Sequence, residues 1–222
     1  MGGMGPQATS LFFERIVANT KAGHDCDHIE TVILNCCKIQ EKSGGIYPEY
    51  DLLKKEIENL CYLGVDIIAM PCNTAHIHYD KIKTNNVINM IDETAKYISN
   101  LNPNKNIKVA VLATDTTIKT ELYQNALKKQ GYTAILPAKE FQQKVMHIIY
   151  EQVKKTGKGN IKDLLCIVNE MTKCGADLVI LGCTELSYFY DNYELPRTCI
   201  DAMEVLVKTC TIECGKEYIG KY

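Results

Sequence analysis

Neither sign of charge is in excess in this sequence. Lys and Arg number 25 against 27 Asp and Glu, giving a net charge of −2 and a pI near 6.2. Without a basic surplus, a general binder of nucleic acid or of anionic membranes is excluded. No apolar run approaches the ~20 residues needed to span a bilayer. No basic-then-apolar leader opens the chain, so nothing marks it for secretion. Cysteine, by contrast, is plentiful, with eleven in 222 residues. That is too few for a disulfide scaffold at this length, and an odd count leaves at least one thiol unpaired. These features predict free thiols in a reducing, cytoplasmic compartment. With 46 % apolar residues, the chain can build its core without staples.

Apolar strands and amphipathic helices alternate. Ile29–Asn35 reads as a buried, β-branched strand. Tyr50–Leu63 carries apolar residues at helical spacing and stops at Gly64, and Val65–Met70 is again a strand. The pattern recurs with strand Lys108–Ala113, helix Ile118–Gln130 and short strand Ala134–Leu136. Helices Glu140–Lys155 and Ile161–Lys173 and strand Asp177–Leu181 follow. Alternation of this kind predicts an α/β fold with mainly parallel sheets flanked by helices.

An internal repeat gives the organisation. Gly64-Val-Asp-Ile-Ile-Ala-Met-Pro-Cys72 parallels Gly175-Ala-Asp-Leu-Val-Ile-Leu-Gly-Cys183, and Ile91-Asp92 parallels Ile200-Asp201. The offsets, 111 from 64 to 175 and 109 from 91 to 200, are nearly equal. Two pseudo-symmetric lobes are expected, spanning 1–100 and 101–200 and joined near 100–106, with a last helix in 201–222 packing back on the first lobe. The repeat also exposes a gap. Strand 108–112 leads into the loop 113–117, whereas the corresponding loop, Gly2–Thr9, has no strand ahead of it. The first strand of lobe 1 therefore reads as missing.

Cys72 and Cys183 each follow the C-terminal end of a strand, where open parallel sheets place their ligands. Polar, helix-opening residues come next: Asn73-Thr74-Ala75-His76 and Thr184-Glu185-Leu186. A helix N-terminus lowers the pKa of a thiol. Two facing thiols suit stereoinversion, in which a thiolate takes a proton from one face of a carbon and a thiol returns one to the other. Asn73, Thr74, Thr184 and nearby N–H groups suit a carboxylate and the charge that develops in the planar intermediate.

These stretches, with Gly2-Gly-Met-Gly-Pro-x-Ala-Thr9 and Leu112-Ala-Thr-x-x-Thr117, resemble the aspartate/glutamate racemases, the cofactor-independent two-cysteine family. The resemblance implies an active site between two α/β lobes, with Cys72 and Cys183 as the acid/base pair. It implies no cofactor and no metal, a small acidic amino acid as substrate (aspartate first) and a homodimer. It further implies that Asn73, Thr74, Thr117 and Thr184 line the carboxylate pocket, with Met4 and Thr114 as further substrate-contacting positions. The chain departs from the aspartate-specific pattern at Ile39-Gln-Glu-Lys42-Ser43, where Lys42 stands at the place of an arginine. Lysine offers a point charge rather than a bidentate fork. Lys144 resembles a second family cation. The departure leaves open a glutamate or broad-specificity racemase, or another isomerase of the superfamily; a non-catalytic dicarboxylate binder is the alternative from another class.

Other clusters carry less. His24-Asp-Cys-Asp-His28 lacks the second cluster of a zinc site. The Gly2–Pro6 loop lacks the Lys-Ser/Thr ending of a phosphate loop. Cys61, Cys166 and Cys174 are expected at the core or its boundary, and Cys36-Cys37 as packing or cleft-wall residues. His76 either orients Cys72 or is an ordinary first-turn residue.

Overall fold

The computed structural model describes residues 1–41, 48–82, 86–103 and 106–222. The chain divides into two compact units: Met1–Glu93 with Met203–Tyr222, and Thr94–Ala202.

The second unit is built on a parallel sheet. Its strands are β1 (Lys108–Leu112), β2 (Thr133–Ile135), β3 (Leu178–Leu181) and β4 (Cys199–Asp201), in the spatial order β2-β1-β3-β4. All pairs are parallel, with Ala110 opposite both Ile135 and Val179, and Leu181 opposite Asp201. From Val109 onward every residue of β1 is buried, which is why the strand reads as an unbroken apolar run. Helices cross between the strands, as parallel pairing requires. The core packs Leu112 and Leu181 against Ile148, Ile167, Val168 and Phe189.

Two predicted helices here are interrupted. Ile118–Gln130 is two helices, Asp115–Lys119 and Leu122–Lys129, broken at Glu121 in the left-handed region (φ 55°). Glu140–Lys155 is an α-helix over Lys139–His147 that widens into a π-helix over Ile148–Lys154. Ile148, Ile149 and Val153 are all buried in that segment. The helix Ile161–Lys173 forms as read, with Asn160 capping its start by accepting from the Lys162 N–H.

The first unit begins with helix α1 (Pro6–Asn19); α2 (Lys38–Glu41) and α3 (Tyr50–Tyr62) follow, then α4 (Tyr79–Ile82) and the start of α5 (Met90–Leu101). Gly64 adopts φ 75° just past α3, the stop the sequence indicates. The predicted strands Ile29–Asn35 and Val65–Met70 are extended but form no ladder among the described residues. Each has one isolated bridge, Gly2 to Asn35 and Ile68 to Val87. The physical reason is the partner each lacks: β-structure needs a neighbour, and the two segments do not pair with each other.

The helix of residues 202–213 (Ala202–Glu213) and the tail after it complete this unit. Its anchor is a buried carboxylate. Glu204 accepts from Arg15 Nη1 at 3.1 Å, Asn19 Nδ2 at 2.7 Å and Tyr218 Oη at 2.6 Å. Arg15 is 5 % exposed and Glu204 2 %.

The Met1 amine is buried as well and donates to the Ala69 carbonyl at 2.8 Å. Burial lowers its pKa from 8.0 to about 6. Between those values the unfolded chain holds a proton that the folded chain has released, so stability is full above pH 8 and is lost as pH falls toward 6. About two pKa units correspond to roughly 2–3 kcal/mol. Urea unfolding at pH 8.5 and 5.5 is expected to show this loss, and N-terminal acetylation should remove most of it. An unchanged difference after acetylation would assign the loss to other groups.

Candidate active site

In the second unit, the strand order reverses between β1 and β3: β2 lies on one side of β1, β3 and β4 on the other. Ligands of open parallel sheets bind at such a switch point, beyond the strands' carboxyl ends. Thr114 and Thr117 follow β1 there, and Cys183 and Thr184 follow β3. All four are buried. Gly182 permits their approach: its N–H donates to the Leu112 carbonyl at 2.7 Å, and a Cβ would lie 2.9 Å from Tyr123 and 3.3 Å from Ala113. Thr114 caps the following helix, its Oγ1 accepting from the Thr117 N–H, with the two hydroxyls 3.0 Å apart. Cys183 Sγ donates to Glu185 Oε2 at 2.9 Å, and Thr184 Oγ1 donates to the same oxygen at 3.3 Å.

In the first unit, Cys72 stands at the corresponding place after residues 65–71. It is 6 % exposed and opens a 3-10 helix, Asn73–His78. Asn73 and Ala75 are buried and Thr74 partly so. Met4 belongs to the same apolar cluster as Cys72. The Met4 loop is held by glycine: Gly3 has φ 99°, and a Cβ there would meet the Cys36 backbone at 2.4 Å. His76 is fully buried. Its Nε2 accepts from the Met90 N–H at 3.1 Å, so Nδ1 carries the hydrogen and donates to the Cys72 carbonyl at 2.9 Å. Burial lowers its pKa, keeping the ring neutral. His76 thus fixes the backbone of Cys72.

The repeat extends to these supports. Position 187, 111 after His76, is Ser187, and its Oγ donates to buried Asp201 at 2.7 Å. Asp92, the quasi-equivalent of Asp201, is close enough to His76 to act on it electrostatically.

Several expectations change. The helices after the two thiols are short: the 3-10 helix Asn73–His78 after Cys72 and the α-helix Ser187–Asn192 after Cys183 have six residues each. Cys61, Cys166 and Cys174 are exposed, not core, and Cys37 is exposed too. They sit on the outer faces of their helices or at helix ends, where apolar spacing alone did not assign them. Lys144 is exposed on its helix, 3.1 Å from Glu140 and over the Phe141 ring. Lys42 lies outside the described residues. The His24–His28 run forms a turn in which Asp27 accepts from the Gly23 and His24 N–H groups. Among the described residues, no group of three or more His, Cys, Asp or Glu could hold a metal. No helix among them is long and apolar enough to cross a membrane. Glu185 was missed as a functional candidate, although a carboxylate two residues beyond Cys183 was the available signal.

A sequence profile of Asp/Glu/hydantoin racemases matches residues 1–210. The chain belongs to that family. This racemase is 29 % identical over 220 residues to the broad specificity amino-acid racemase RacX of Bacillus subtilis (strain 168), covering 94 % of each chain. Among solved structures it is similar to Picrophilus torridus aspartate racemase, with TM-score 0.80 and 27 % identity over 98 % of this chain and 93 % of that one. An aspartate racemase homologue from Pyrococcus horikoshii OT3 shares the fold, at TM-score 0.76 and 22 % identity over 96 % of both chains. The protein is an amino-acid racemase with an α/β fold.

Proposed function

We propose that the racemase interconverts L- and D-aspartate through Cys72 and Cys183. One thiolate removes the Cα proton: the C–H bond breaks, an S–H bond forms, and the electron pair delocalises into the carboxylate. The other thiol returns a proton to the opposite face, and its S–H bond breaks as the new C–H bond forms. The reverse reaction exchanges the two roles. The observation that carries this reading is the repeated placement of a buried thiol after quasi-equivalent apolar segments, each followed by buried amide or hydroxyl groups. Asn73, Thr74, Thr114, Thr117 and Thr184 are the proposed hydrogen-bonding partners of the substrate carboxylate and of the charge that builds on it. Met4 supplies an apolar wall. Lys42 and Lys144 are the proposed cations for the distal carboxylate, Lys144 exchanging Glu140 for substrate. A cytoplasmic homodimer is the proposed setting.

Aspartate is favoured by the likeness to the Picrophilus torridus aspartate racemase. A broader amino-acid range is the second reading, favoured by the likeness to RacX. Loss of optical rotation from L-aspartate and L-glutamate separates them. The first reading expects aspartate to react at least ~10-fold faster, the scale of one missing or misplaced substrate contact. Comparable rates on several amino acids would support the second.

Glu185 is a positioning residue in this account, holding the Cys183 S–H by a charge-assisted hydrogen bond. Glu185→Gln is expected to lower kcat by roughly 10-fold or more, on the scale of a lost charged hydrogen bond, with KM little changed. An equal loss in kcat and gain in KM would point instead to a damaged substrate pocket.

A further inference from the structure

The turn that carries Thr114 and Thr117 has little to hold it locally. The helix it opens, Asp115–Lys119, has five residues, well short of the ~12 at which a helix sustains itself in water. Glu121, in the left-handed region, separates it from the next helix. Its own cap, Thr114 Oγ1 accepting from the Thr117 N–H at 3.3 Å, closes the turn internally but does not fix it against the rest of the unit. Ties from another element have to do that.

The helix Lys139–His147 supplies them. Gln142 Nε2 donates to the Ala113 carbonyl at 3.0 Å and to Asp115 Oδ1 at 2.8 Å. The two residues it binds flank Thr114. One helical turn further along, Met146 Sδ accepts from the Asp115 N–H at 3.3 Å. Both amide hydrogens of Gln142 are used, one on each acceptor. Turning the amide over would set its oxygen against a carbonyl and a carboxylate, so its orientation is fixed. The remaining polar atom, Gln142 Oε1, is buried and makes no hydrogen bond among the described residues. A buried, unpaired carbonyl is unfavourable, and an apolar side chain of the same length would avoid it. What the amide alone provides is the pair of ties to 113 and 115. The helix is anchored in turn: Val145, with Ile148 and Ile149 of the π-helical segment that continues it, is buried in the same core as Leu112.

We propose that Gln142 is a positioning residue of the substrate pocket. By holding the chain on both sides of Thr114, it sets the Thr114 and Thr117 hydroxyls, 3.0 Å apart, where the substrate carboxylate meets them. The inference rests on the reading of those hydroxyls as partners of the carboxylate. Gln142 does not touch the substrate and acts through Thr114. Without its ties both hydroxyls remain, but the turn is free to move. Substrate must then order the turn as it binds, and that cost raises KM more than it lowers kcat.

The test is a double-mutant cycle read by steady-state racemisation of L-aspartate. Gln142→Met keeps the side chain's length and its helix propensity while removing both ties. Gln142→Glu, the second variant, turns a carboxylate toward the carboxylate of Asp115. Each is expected to raise KM by about tenfold, the scale of a lost hydrogen bond or two, with kcat little changed. Thr114→Ala should raise KM as well. Adding Gln142→Met to Thr114→Ala should then cost much less than it does in the parent, because the hydroxyl it places is gone. An undiminished effect of Gln142→Met in the Thr114→Ala background would overturn the proposal, and so would a parental KM in both Gln142 variants. A parental KM in Thr114→Ala would remove the carboxylate reading of that hydroxyl, and the inference with it.

Discussion

Alanine in place of either Cys72 or Cys183 is expected to lower racemisation by about a thousandfold or more. General acid–base groups contribute roughly 10²–10⁴-fold each, and stereoinversion needs one such group on each face of Cα. Neither thiol can take over the other's role, because a single group reaches a single face. Both cysteines are buried, at 6 % and 7 % exposure, so Cys→Ala removes little volume and no exposed contact. The loss should appear in kcat, with far-UV circular dichroism and thermal midpoint close to the parent's. Cys61→Ala, Cys166→Ala and Cys174→Ala, at exposed thiols, serve as controls and should leave the rate unchanged. Substantial racemisation in either single variant would remove the two-thiol mechanism.

The largest effect on stability is expected at Arg15. Its guanidinium meets Glu204 in the interior of the first unit, and Asn19 and Tyr218 complete the carboxylate's hydrogen bonds. Arg15→Ala leaves that carboxylate buried without its counter-charge. Breaking a buried pair from one side costs about 3–5 kcal/mol. For a chain of this size the corresponding fall in melting temperature is roughly 10 °C. The exposed pair Lys21–Glu217, in the same tail, is the comparison. Lys21→Ala should cost about 1 kcal/mol or less. Equal shifts for Arg15→Ala and Lys21→Ala, read by thermal unfolding, would mean that the buried network does not anchor the tail.

What could be read from the sequence follows from which interactions are local. β1 and β3 are legible because a strand buried on both faces must be apolar throughout. The stop at Gly64 is legible because the chain takes a positive φ there, which favours glycine. The break at Glu121 has no such signal, since an ordinary residue occupies the left-handed conformation. β4, Cys199-Ile200-Asp201, ends in a buried carboxylate and so shows no apolar run to mark it. Residues 29–35 and 65–70 have strand composition, yet ladders depend on a neighbour that their own sequence cannot supply. At the site, the repeat revealed Cys72 and Cys183, because chemistry placed twice leaves a trace at a fixed offset. The Cys183–Glu185 hydrogen bond and the buried tautomer of His76 depend on side-chain directions that spacing does not encode.

The most direct test of the two-thiol account follows the Cα proton of aspartate in deuterated water, with each single cysteine variant and each enantiomer. One variant is expected to exchange the proton of L-aspartate alone and the other that of D-aspartate alone, neither forming the opposite enantiomer. Exchange of the same enantiomer by both variants, or inversion by either, would contradict the account.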